Sequence, residues 1–297
     1  MIQGKWKCCA FCAVIGMVAT VISQVAVAAE VPRGREALEE PLLRTSRSTS
    51  PNPAGHPLDP MLEYARTGLK TLQSNITDYT CTLVKRERIQ DKVGEHEYIY
   101  AKVRNRKVQN GAVVQPFSVY MYFLKPGTVK GREVIFVEGR NGDKMIAHEG
   151  GSMVGYLPSV WLRPDGVIAM RGQRYPITEM GIENLVVKLI ERGERDRKDG
   201  KGNIEVAFHK DAKVNGRVCT LLQVTRPKPA PNLDFHLAQI FIDDELNVPI
   251  RYVAYGFPAR EGEPLPVIEE YTYLNMKLNV GLSDRDFDPS NKDYAFK

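Results

Sequence analysis

From Leu58 onward the apolar positions first step by three and four and then, past Thr77, alternate. Leu62, Ala65, Leu69, Leu72 and Ile76 draw a single stripe, which predicts an opening helix with Asp59 as its cap and Pro60 in its first turn. Tyr79–Ile89 and Glu97–Val108 then read as long strands rich in aromatic and β-branched residues, and Phe117–Leu124 as a third, closed by Lys125-Pro126-Gly127. Glu133–Val137 and Lys144–His148 form a hairpin around Asn141-Gly142, and a shorter segment, Met153–Met170, carries Trp161. A second helix follows, with Ile182, Leu185, Val186, Leu189 and Ile190 on one face, and it runs out in the charges from Arg192 to Lys198. Strands resume at Ile204–Phe208, Val218–Thr225, Leu237–Ile242, Pro249–Tyr255 and Val267–Asn275, with turns at Asn215-Gly216 and at a solvated Asp243-Asp244-Glu245. About ten strands, two main helices and short connections predict one antiparallel, mainly β domain over residues 58–297, a sandwich or a barrel.

The strand faces carry the functional question. Phe117, Val119, Met121 and Phe123 share one side of their strand, while Tyr120, Tyr122 and Leu124 take the other. Ile240 and Ile242 oppose Leu237 and Phe241 in the same way. An antiparallel sheet usually shows water one polar face, and two helices cover only one side of ten strands. The remaining apolar side must therefore curl onto itself, meet a second sheet or line a cavity. A filled core and a hollow, ligand-binding half-barrel both satisfy this pattern. In the hollow case Met121, Phe117 and Phe123 suit flexible acyl chains, because methionine repacks around irregular shapes.

The first 29 residues change the compartment. Lys5 and Lys7 precede an apolar run from Cys8 to Val27, and small residues follow at Ala26, Ala28 and Ala29, the form of a cleaved secretory signal. An uncleaved membrane anchor is the competing reading. Residues 30–57, rich in Ser, Pro, Arg and Glu, read as a disordered tether. No later stretch is apolar and long enough to span a bilayer. Removing Lys5 and Lys7 lowers the net charge from +5 to +3, a balance that argues against nucleic acid as partner. Three of the five cysteines leave with the signal. Cys81 and Cys219 remain as an even pair in an exported chain, so a disulfide is expected, two buried thiols being the alternative.

The order of elements resembles the periplasmic lipoprotein-carrier superfamily that includes LolA and LolB. The resemblance rests on an exported chain, an opening helix, long strands, Phe123-Leu124-Lys125-Pro126, Arg132-Glu133-Val134-Ile135 and the Asn141-Gly142 hairpin. It continues in Val248-Pro249-Ile250 and in Asn279-Val280-Gly281-Leu282 leading to Phe287-Asp288-Pro289. Asp78-Tyr79-Thr80-Cys81 and Arg217-Val218-Cys219 are similar to a family of exported bacterial proteins defined only as a domain of unknown function. The superfamily resemblance implies a half-open antiparallel β-barrel of about ten strands whose two helices lid an apolar cavity used for acyl chains. On that reading Phe117, Val119, Met121, Phe123, Val134 and Phe136 line the cavity, and Leu185 and Leu189 belong to the covering helix.

Catalytic and metal patterns are weak. Gly150-Gly151-Ser152-Met153-Val154 lacks the second glycine of a nucleophile elbow, and the histidines at 96, 148, 209 and 236 read as surface or packing residues. Asp284, Asp286 and Asp288 alternate as in calcium loops, but Pro289 and Ala295 break that pattern. Arg132, Arg140, Arg163, Arg171 and Arg174 are either solvated loop charges or contacts to anionic headgroups at a cavity mouth. The expectation is a non-enzymatic envelope or periplasmic protein, without cofactor or metal, that binds a lipid or lipoprotein acyl chain. The alternative is an envelope structural or interaction module with a filled core and a protein partner.

Overall fold

The opening helix α1 (Asp59–Asn75) forms where the stripe placed it, but Leu58 is its N-cap. Asp59 turns its carboxylate back to accept the His56 N–H at 2.9 Å and pairs with Arg197 Nε at 2.6 Å, so its oxygens serve a loop and the second helix instead of the cap. Leu62 and Leu72 are buried, and the Ile76 N–H closes the last turn on the Leu72 carbonyl at 2.9 Å. The coordinates are a computed structural model and describe residues 41, 47–48, 55–151, 155–199, 204–229 and 233–297. The export signal expected in 1–29, most of the expected tether and Met153 lie outside the described residues. Arg47-Ser48, inside that tether, pairs antiparallel with His209 and Phe208.

Eleven strands build the main sheet. They are β1 (Asp78–Ile89), β2 (Glu97–Arg104), β3 (Ser118–Lys125), β4 (Glu133–Val137), β5 (Met145–His148) and β6 (Val160–Leu162) before helix α2 (Ile182–Asp199). After it come β7 (Glu205–Val214), β8 (Arg217–Thr225), β9 (Leu237–Asp243), β10 (Val248–Tyr255) and β11 (Val267–Leu278). The order across the sheet is β7-β8-β9-β10-β11-β1-β2-β3-β4-β5-β6, every neighbour antiparallel. Arg47-Ser48 on β7 and Lys92-Val93 on β1 bring the count to thirteen. Two meanders are thus joined along β1 and β11, with Leu83 opposite Tyr273 and Glu87 opposite Glu269. The sheet's two ends do not pair with each other, so the barrel stays open.

The strand expected over Glu97–Val108 ends at Arg104. Asn105 leaves the sheet to donate its N–H to the Thr77 carbonyl at 2.9 Å and its side-chain amide to the Ile76 carbonyl at 3.1 Å. A separate hairpin, Lys107–Gln109 with Ala112–Gln115, follows. Of Met153–Met170, only Val160–Leu162 is a strand among the described residues.

The main core gathers Tyr79, Cys81, Leu83, Ile99, Ala101, Val103, Val119 and Phe123 of the sheet against Leu72, Ile76 and Ile182 of the helical layer. Leu58, Met61 and Leu62 pack a second cluster on Leu222, Val224, Ile240 and Tyr252. The opposite apolar face of β3, β4 and β5 is covered by the C-terminal segment: Tyr120, Ile135, Val137 and Ile146 pack against Phe287, and Tyr294 stacks on Tyr120 at 4.1 Å. Asp284 and Asp286, in this same segment, pair with Arg104 and Lys102, each at 2.8 Å, so cations of the chain itself satisfy them. Two glycines set the helical layer. Gly181 has φ +104°, and a Cβ there would meet the Tyr79 hydroxyl; a Cβ at Gly193 would meet Leu62 of α1.

Cys81 and Cys219 are free thiols, both buried. Cys81 lies on β1 and Cys219 on β8, with β9, β10 and β11 between them. Four interstrand steps of about 4.8 Å along the sheet separate residues whose Cα atoms would have to approach within about 7 Å to bridge. Burial pushes both thiols up to about 12, which keeps them neutral and inert.

Asp243 is fully buried rather than solvated. Its Oδ1 accepts the N–H groups of Glu245 and Leu246 at 3.0 and 2.9 Å, and Arg217 pairs with the carboxylate, fixing the β9–β10 turn. Burial pushes this carboxyl upward, but Arg217 and the two amides outweigh it, and it ionises below its ordinary value. A depressed carboxyl contributes stability above its unfolded pKa and loses that contribution as pH falls through the folded one. The domain is therefore expected to weaken below about pH 4, and Asp243→Asn to flatten that part of the profile, as read from urea midpoints at pH 7 and pH 3.

Candidate functional site

Between the curled sheet and α2 lies a cavity of about 680 Å³. Its size falls within the roughly 300–1,000 Å³ typical of small-molecule sites. The floor is apolar: Leu83 of β1, Ile99 of β2, Met121 and Phe123 of β3, Val134 of β4 and Met145 of β5. Leu185 and Leu189 of α2 cover it, and Leu157, Val160, Leu162 and Ile168 form the rim. Alternation explains the floor, since Met121 and Phe123 lie two apart on β3 and share its inner face.

The expected lining row divides in two. Met121, Phe123, Val134, Leu185 and Leu189 border the cavity. Phe117, Val119 and Phe136 do not; they sit farther along the same face, packed into the filled core, with the Phe117 and Phe136 rings 6.3 Å apart. A pleat assigns a side chain to a face but not to a height along it, and this inner face is filled at one end and hollow at the other.

One wall of the cavity is a buried polar network. Glu269 of β11 accepts Arg192 Nη1 at 3.0 Å and the Tyr252 hydroxyl at 3.2 Å on Oε1, and the Tyr175 hydroxyl at 2.7 Å on Oε2, which also forms an ion pair with Arg174 Nε at 3.0 Å. Glu87 of β1 accepts the Tyr271 hydroxyl at 2.6 Å, Lys85 Nζ at 3.3 Å and the Arg174 N–H at 3.0 Å. Lys85 also meets Glu97 at 3.2 Å and Gln173 at 2.6 Å. Three cations, Lys85, Arg174 and Arg192, thus balance three carboxylates, Glu87, Glu97 and Glu269. Burial and the adjacent carboxylates push the hydroxyls of Tyr175, Tyr252 and Tyr271 upward, so they remain protonated donors. With both Glu269 oxygens doubly engaged, the network is a tether: it ties the strap at 173–175 and the α2 residue Arg192 to the β1–β11 seam.

The sequence reading passed over these residues because a charged residue in a strand ordinarily faces water. A signal was present, for Lys85 and Glu87 share the parity of the core residues Tyr79, Cys81 and Leu83. A smaller cavity of about 350 Å³ lies between α1, α2 and β8–β10 and shares Leu189, Arg192 and Tyr252 with the first. Of the five arginines in the middle of the chain, Arg132 and Arg171 stand at the large cavity, Arg174 holds its polar wall, and Arg140 and Arg163 pair with Asp284 and Asp165. Among the described residues no group of His, Cys, Asp and Glu is arranged to hold a metal ion, and no helix is long and apolar enough to cross a membrane.

The family described as a protein of unknown function (DUF1571) matches residues 76–296, from the end of α1 through the C-terminal segment. The chain belongs to the DUF1571 family. This bears out the resemblance carried by Asp78-Tyr79-Thr80-Cys81. No curated protein matches this DUF1571 sequence. Among solved structures it is similar to a DUF1329 family protein from Desulfovibrio piger, 12% identical, over 78% of this chain and 97% of that one, with a TM-score of 0.37. A putative outer membrane lipoprotein-sorting protein domain from Vibrio parahaemolyticus is 13% identical over 76% of this chain and 95% of that one, with a TM-score of 0.36. A chain of the Pseudomonas aeruginosa MucA/MucB complex is 11% identical over 76% and 60%, with a TM-score of 0.41. The half-open barrel itself rests on the DUF1571 chain's own strand order and its unpaired ends.

Proposed function

We propose that this chain is an exported envelope protein that binds an acyl chain or another apolar ligand, without catalysis, in the cavity of its half-barrel. The observation that carries the reading is the cavity of about 680 Å³ with an apolar floor, lidded by α2 and a tethered strap. Binding is reversible transfer of apolar surface out of water, at roughly 0.8 kcal/mol for each buried methylene. It needs no cofactor. The neutralised polar wall is suited to the polar end of an amphipathic ligand, and the floor to its chain. Lipid or lipoprotein trafficking in the envelope is the process such a protein would serve, and the N-terminal export pattern supports that compartment.

The test is the non-denaturing mass of protein purified gently from its native envelope, followed by extraction and lipid analysis. A stoichiometric acyl-containing adduct, lost on delipidation, restored on incubation and absent in a folded Met121→Asp variant, is the expected result. A clean apo mass with no uptake of lipids or lipopeptides would sink the proposal in favour of an interaction module.

A further inference from the structure

The cavity rim has an outer side that its inner side does not explain. Leu157, Val160, Leu162 and Ile168 border the cavity mouth, yet the same segment, 155–171, holds the most exposed large apolar side chains of the described domain. Val167 is 90% exposed, Ile168 72%, Tyr156 71% and Trp161 44%. Scattered apolar residues on a surface need no explanation, but four so exposed within one short segment concentrate apolar surface in the way interaction sites do. The segment is pinned at its base, where the Lys297 N–H donates to Ser159 Oγ at 2.9 Å and the Ser159 N–H to the Lys297 carbonyl at 3.1 Å. Two exposed arginines flank the apolar tip. Arg163 pairs only with its neighbour Asp165, and Arg171 makes no ion pair among the described residues.

We infer that this rim docks on the surface of an anionic lipid bilayer, with Trp161, Val167 and Ile168 in the interfacial layer and Arg163 and Arg171 against headgroup phosphates. The composition fits that occupant. Trp and Tyr concentrate at membrane interfaces, aliphatic side chains gain by leaving water there, and basic residues beside them are drawn to anionic headgroups. A second copy of this chain fits less well, since a two-fold contact through the tip would gather four arginines in one interface with only the two Asp165 carboxylates of the segment to balance them. Docking itself stands apart from what the cavity holds. It builds on the proposed function only in its consequence: the apolar surface runs from cavity to rim, so a chain leaving the bilayer could enter without crossing water.

The experiment uses the chain from Glu30 onward, the form left when the export signal is removed, in which Trp161 is the only indole. Trp161 emission is followed on vesicles of brominated phosphatidylcholine, with and without phosphatidylglycerol. On the anionic vesicles the emission is expected to move to the blue and be quenched, and added salt to weaken both changes. Val167→Asp combined with Ile168→Asp, both exposed and so compatible with an unchanged urea midpoint, is expected to abolish them. Unquenched emission on anionic vesicles would overturn the inference, as would equal quenching in the double variant. A blue shift that depends on protein concentration without vesicles would overturn it in favour of self-association. Lipid extraction of the same protein after vesicle removal tests the cavity separately, and rim docking with an empty cavity would count against the proposed function alone.

Discussion

Glu269→Ala is expected to lower the stability of the domain by about 3–5 kcal/mol, the cost of removing one partner from a buried charge network. Glu269 is almost completely buried, and its carboxylate is shared by Arg174, Arg192, Tyr175 and Tyr252. Without it, Arg192 and Arg174 keep their charges beside the cavity with no carboxylate in reach on that side, and two hydroxyls lose their acceptor. Glu269→Gln keeps the shape and an acceptor but not the charge, and should fall between wild type and alanine. Urea unfolding midpoints with an unchanged m-value measure all three. Because the same carboxylate holds the strap, hydrogen exchange at 173–177 and in the C-terminal half of α2 should quicken more than exchange in β8 or β9. Loss below about 1 kcal/mol would mean that water already satisfies these groups.

Met121→Trp has the second large effect, and its direction separates a hollow barrel from a filled one. Met121 borders the cavity beside Phe123 and Val134, so an added indole has space to enter. The expected outcome is an unfolding midpoint at or above that of wild type, with affinity for an apolar ligand at least about tenfold weaker, a difference of about 1.4 kcal/mol. In a filled core the same change would overpack and cost about 1–3 kcal/mol without touching any ligand. Calorimetric unfolding of the delipidated protein, with and without a fatty acid, reads both quantities.

Much of this fold was legible because its strands are long and its turns are chemically explicit. Asn141-Gly142 and Asn215-Gly216 take positive φ in the structure, as the hairpins they predicted require. The alternation that makes β3 apolar on both faces requires something on each side. The side away from the helices, however, neither curls onto itself, meets a second sheet nor lines the cavity, which lies on the face the helices cover. One cover is the helical layer; the other, the C-terminal segment carrying Phe287 and Tyr294, is irregular and has no periodicity to read. Irregular backbone also hid the rim at 155–171 and the strap at 173–177, which hold their places through tertiary contacts. The candidate site was legible at Met121, Phe123 and Val134, whose face follows from parity. It was not legible at Glu87 and Glu269, which face each other only through pairing between the first and last of the labelled strands.

That pairing also sets an order in time. Leu83 and Tyr273 are 190 residues apart in sequence, whereas most other neighbours in the sheet are joined by hairpins that close locally and fast. Until β1 and β11 pair, each presents an open edge. The cavity takes Leu83, Lys85 and Glu87 from one side of that seam and Glu269, Tyr271 and Tyr273 from the other. The site is therefore complete only where that seam is closed, and a chain with the seam open lacks one wall of the cavity.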